Sequence, residues 1–126
     1  MSGKYALDSN VIIDVGKGLP EALALRGVLN DAERYISVIS RMESLAFPGL
    51  PPEEETHIRH FLGELTVIPL DDTIEETAIT LCRTTSLRLP DAIIAATALS
   101  LGADIISRDE HLLKLNVPGL RVVKTL

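Results

Sequence analysis

The sequence has one cysteine, Cys82, and no tryptophan. A single cysteine excludes an internal disulfide and suits a reducing compartment. Aromatic residues are scarce, at 3% of the chain against 46% hydrophobic residues, so the core has to be aliphatic. Long apolar runs are missing too. None approaches the roughly 18 residues of a membrane span, and the opening "MSGKYALDSN" lacks the apolar stretch of a secretory leader. The expectation is a cytoplasmic protein with no membrane partner. Basic charge is also short, with 12 Lys and Arg against 18 Asp and Glu, for a net charge of −6. That argues against tight nucleic-acid binding through an overall basic surface. It leaves room for an enzyme that holds cations at an acidic site.

What is present reads as one domain, residues 1–126, since this length supports one core and no composition break divides it. "PGLPPEEE", from Pro48 to Glu55, is the strongest punctuation and reads as a loop and helix start. Strands are expected at Tyr5–Ser37's two ends, that is at Tyr5 to Leu7 and Tyr35 to Ser37. Further strands are expected at Thr66 to Leu70, Asp104 to Ser107 and Arg121 to Thr125. Helical spacing covers Glu21 to Asp31, with Ala22, Leu25, Val28 and Leu29 on one face. It also covers Val38 to Phe47, Glu53 to Leu65, Asp72 to Thr84 and Pro90 to Leu101. The last of these is apolar nearly all round, hence buried, and Gly102 stops it. Short apolar strands alternating with helices imply an α/β fold with a parallel sheet covered on both faces. Sites in such sheets form beyond the carboxyl ends of the strands.

Four acids fall on that edge. Asp8 follows the first strand, Glu43 lies in the helix after the second, and Asp109 sits just past the fourth. Asp91 opens the buried helix, which starts at the same edge because it runs antiparallel to its strand. Asn10 and Ser107 are neutral oxygen donors beside them. Clustered carboxylates repel unless protons or cations intervene. Hard oxygen ligands suit Mg²⁺ or Mn²⁺. Each acid also has a plain structural reading. Asp8 and Asp109 can cap helices, Glu43 can close a capping box with Ser40, and Asp91 is a favourable first-turn acid after Pro90. Their joint placement on one edge favours a site. Asp14 reads as a surface residue, and Arg41 as a solvated residue or a contact to phosphate or the acidic site. His57, His60 and His111 form no familiar zinc pattern.

The stretches "YALDSNVII", "ISVISRMESL", "LPDAIIAATALSLGADIISRDEHLL" and "GLRVVKTL" together resemble the PIN-domain family, in the style of VapC toxins. The resemblance spans essentially the whole chain. It implies a three-layer α/β/α sandwich with a central, mainly parallel sheet and a metal-dependent ribonuclease site. The family's acidic quartet maps onto Asp8, Glu43, Asp91 and Asp109, with Asn10 and Ser107 supporting it. It implies Mg²⁺ or Mn²⁺ held by Asp8, Asp91 and Asp109, RNA as substrate, a VapB-like antitoxin and a homodimer. Many relatives carry Asp-Phe where Leu112 and Leu113 stand here. The alternatives are a PIN-like binding module without catalysis and a different phosphate enzyme. A receiver domain or aspartyl-phosphate phosphatase fits poorly, because strand one is followed by one acid and Asn10 holds the second place of Asp-x-Asp.

Overall fold

A computed structural model describes residues 3–126. The first apolar segment forms β1 (Lys4–Leu7), and it becomes the middle of a five-stranded sheet. Its neighbours are β2 (Glu33–Ser37) on one side and β4 (Asp104–Ile106) on the other. The edges are β3 (Thr66–Ile68) and β5 (Val122–Val123), giving the order β3-β2-β1-β4-β5. Every pairing is parallel, with Ala6 opposite Tyr35 in β2 and Ile105 in β4.

Strand alternation divides the core into two layers. Tyr5, Leu7, Ile36 and Ile106 face one side, and Ala6 and Ile105 face the other. The first side is covered by α1 (Ser9–Gly16), α2 (Pro20–Val28) and α4 (Pro52–Leu62), through Ile12, Leu25, Ile58 and Phe61. The second is covered by α5 (Asp72–Thr84) and α6 (Leu89–Leu101), through Ile74, Leu81, Ile94 and Ala98. Leu112 of the short α7 (Glu110–Leu113) joins this layer. Helix α3 (Val38–Leu45) spans the two, with Ile39 against the second cluster and Leu45 against the first. This is the expected α/β/α arrangement with a parallel sheet.

The expected elements are all found, with shifted ends: β2 starts two residues earlier, at Glu33, while α2 and α4 stop three residues sooner. Pro69 leaves β3 only three residues long. Helix α6 is buried from Ala92 to Ala98, and Gly102 ends it in the left-handed conformation at φ 64°. One facing assignment differs. Val28 is 62% exposed, because α2 ends there and its contact row runs through Ala22, Leu25 and Leu29. No helix among the described residues is long and apolar enough to cross a membrane.

Candidate active site

Strand order fixes where a site can form. The chain leaves β1 toward β2 and β3, then returns to the other side of β1 for β4 and β5. The reversal opens a crevice between the carboxyl ends of β1 and β4, the usual ligand position in open α/β sheets. Asp8 and Ser107 are the residues that immediately follow those two strands.

Asp8 is 4% exposed, and its backbone still belongs to the sheet, its N–H bonding Ile106 C=O at 3.0 Å. Its carboxylate is surrounded by donors. Ser107 Oγ donates to Oδ2 at 2.7 Å, Asn10 Nδ2 donates to the same oxygen at 3.2 Å, and Ser9 N–H donates to Oδ1 at 2.7 Å. A carboxylate offers about four acceptor positions, so one remains on Oδ1. Burial pushes the Asp8 carboxyl above its usual range, and the bonds from Ser107 and Ser9 oppose that push. The Asp109 charge adds to it.

Ser107 is the hub of the cluster. It is fully buried, donates to Asp8, and accepts from Asn10 Nδ2 at 3.2 Å and from Asp109 N–H at 3.0 Å. Asn10 Oδ1 accepts from Arg108 N–H at 3.4 Å. The start of α1 is thus laced to the turn after β4. Asp109 caps α7, its Oδ1 accepting from His111 N–H at 2.9 Å.

Asp91 enters from the first turn of α6, two residues after Leu89. Burial raises its pKa first, the Asp109 and Asp8 charges add to that, and His111 and Arg88 act the other way. Glu43 lies on α3 on an otherwise exposed residue position. Desolvation of its carboxyl raises its pKa, followed by the Asp8 and Asp91 charges, while the Ser9 hydroxyl favours ionisation. The capping-box role for Glu43 does not hold. Ser37 is the N-cap of α3, accepting from Ile39 N–H at 3.2 Å, while Ser40 lies inside the helix. Asp8 and Asp91 therefore lie within electrostatic reach of each other, and each is within reach of Asp109 and of Glu43. Among the described residues no three acidic, histidine or cysteine side chains close into a metal cage.

Two features were not evident from local sequence. Asp14 pairs with Arg108 through bonds of 2.8 and 3.0 Å, a forked contact that ties α1 to the β4–α7 turn. Its signal was Asp14 standing six positions after Asp8, nearly two helical turns along α1. His111 is brought to Asp91 from beyond β4 by tertiary packing alone, whereas Arg88 stands three residues before Asp91 at the start of α6. Arg41 lines a cavity between α3 and α4 with Arg59, Leu62 and Gly63.

The model of the family described as PIN domain matches residues 5–117, which takes in every strand-edge acid and Ser107. The chain belongs to the PIN domain family. This PIN domain is similar in structure to a toxin–antitoxin complex from Klebsiella pneumoniae, with a TM-score of 0.79 and 28% identity, covering 93% of this chain and 95% of that one. VapBC2 from Rickettsia felis, bound to a DNA fragment from its promoter, also has a TM-score of 0.79, at 16% identity and 94% and 96% coverage. DNA-bound VapBC from Salmonella typhimurium gives 0.74, at 21% identity and 95% and 96% coverage. At those two identities the likeness is one of fold alone. No curated protein matches the sequence.

Proposed function

We propose that this PIN domain is a divalent-metal-dependent endoribonuclease, and the toxin of a VapBC-type toxin–antitoxin pair. The observation that carries the reading is the buried Asp8 carboxylate at the sheet's switch point, with Asp109 acting on its charge, Asp91 within reach of both, and Glu43 within reach of Asp8 and Asp91. The structural likeness to the Klebsiella complex supports the toxin assignment. The partners this reading expects are RNA, a VapB-like antitoxin and a second copy of the chain.

Mg²⁺ or Mn²⁺ fits the donor chemistry, because every candidate ligand is a hard carboxylate oxygen. Asp8, Asp91 and Asp109 are the residues to hold it. Mg²⁺ keeps several waters, so carboxylates that form no closed cage can hold it in part through water. Bound there, the ion supplies charge neutralisation at a phosphoryl oxygen and a lowered pKa for water.

The chain's own residues do the rest. Ser107, Asn10 and Ser9 fix the Asp8 carboxylate in one orientation. Glu43, made more basic by burial and by its acidic neighbours, takes the proton from the attacking water. The water oxygen forms a bond to phosphorus, the P–O bond to the departing ribose oxygen breaks, and that oxygen collects a proton from solvent.

The experiment is cleavage of a total small-RNA pool by partner-free protein with Mg²⁺, with Mn²⁺ and with EDTA, beside Asp8→Asn. Discrete metal-dependent products that vanish in the variant are expected. Cleavage by Asp8→Asn at the wild-type rate would overturn the assignment. No cleavage by folded wild-type protein favours the binding-module alternative.

A further inference from the structure

Asp91 also forms part of the wall of a cavity of about 540 Å³, whose other walls are Ser86, Leu87, Arg88 and His111. That volume lies within the range of sites for small ligands. The chain carries a net charge of −6, yet an arginine and a histidine share this cavity with one of the clustered acids. Both lie near enough for their charge to act on Asp91. Arg88 is exposed, and as the N-cap of α6 its side chain makes no capping bond. His111 uses its backbone N–H on Asp109 and keeps its ring exposed on α7.

A polyanion approaching four carboxylates needs cationic anchors beside them. Arginine supplies one that pairs with phosphate through two parallel bonds. An imidazole ring offers a face on which an unpaired base can stack. We propose that this cavity is a subsite for one nucleotide of single-stranded RNA next to the cleavage position, its phosphate on Arg88 and its base against His111. The inference rests on the nuclease reading and names where its substrate lies. Ser86 adds a hydroxyl donor on the same wall.

The test is fluorescence anisotropy of a short labelled oligouridylate in EDTA, where binding is read without cleavage. Arg88→Gln is expected to weaken binding about tenfold, the loss of one charge-assisted contact. The slope of log Kd against log salt should fall by about 0.7, the value for one phosphate contact on a single strand. Arg88→Lys should recover part of the affinity. Lys17→Gln removes the same charge from an exposed position at the C-cap of α1 and should leave both quantities unchanged. Matched thermal unfolding of the variants establishes that each is folded.

Wild-type affinity in Arg88→Gln overturns the subsite, as does an equal loss in Lys17→Gln. The two readings separate cleanly. RNA binding through Arg88 without metal-dependent cleavage removes the nuclease and supports the subsite. Metal-dependent cleavage with an unchanged KM in Arg88→Gln removes the subsite and supports the nuclease.

Discussion

Ser107 and Asp8, 99 positions apart in the chain, are joined by a 2.7 Å hydrogen bond in the interior of the crevice between β1 and β4. The hydroxyl donates to a carboxylate whose pKa burial raises, and its bond opposes that rise. It thereby connects the two halves of the sheet at the point where strand order reverses.

Ser107→Ala should cost about 1–3 kcal/mol, because it removes one donor from a buried acid and one acceptor from Asn10 and Asp109 N–H. The loss depends on pH. The folded pKa of Asp8 already lies above its ordinary value, so stability falls as pH rises through the raised pKa. Removing a bond that favours the ionised form raises that pKa further and steepens the fall. Urea unfolding should show a larger penalty at neutral pH than near pH ~4, the ordinary carboxylate range. An equal penalty at both would mean the hydroxyl does not serve the charged carboxylate.

Glu43→Gln and Asp91→Asn should each raise the thermal midpoint of the metal-free protein by a few degrees at neutral pH. Both carboxyls are pushed up by burial and then by like charges. Their folded pKa values exceed the unfolded ones, so ionisation works against folding above the raised pKa and the neutral amide escapes that cost. The gain should shrink as pH falls toward the unfolded carboxylate range. Saturating Mg²⁺ should stabilise the wild type more than either variant. A lower midpoint in both metal-free variants would mean the charge cluster is not a source of strain; activity is expected to fall in either case.

Gly16→Ala should destabilise by about 1–3 kcal/mol through overpacking. A β-carbon at Gly16 would stand 2.5 Å from Ile58 Cγ1 and 3.4 Å from Glu54 C=O, and Ile58 is 1% exposed with little room to move. In an Ile58→Ala background the same change should be neutral or favourable, since the obstructing atoms are gone. A chemical-denaturation double-mutant cycle measures the coupling. Additive effects would mean α1 and α4 can separate without cost.

How much of this was legible in sequence varies by residue. Tyr5-Ala6-Leu7 announces a buried strand, and the unbroken apolar pattern from Ala92 to Ala98 announces a helix wrapped by protein. Gly102 marks the helix end through its own backbone freedom. Asp8, Glu43, Asp91 and Asp109 are visible as acids at one sheet edge, because the alternation of strands and helices assigns each to that edge. Val28 lies outside the buried stripe because periodicity describes a helix face, whereas the width of that stripe depends on what packs against it.

The chain's chemistry was therefore determined locally: an aliphatic core, parallel crossovers and acids at strand ends all follow from residue type and spacing. Tertiary structure decided which of those acids ionise with difficulty and what opposes it. Asp8 receives Ser107 from across the switch point, Asp14 takes the Arg108 guanidinium, and Asp91 gains His111 as a neighbour. Burial and through-space charge are properties of neighbours in space, and those neighbours are set by the sheet order β3-β2-β1-β4-β5.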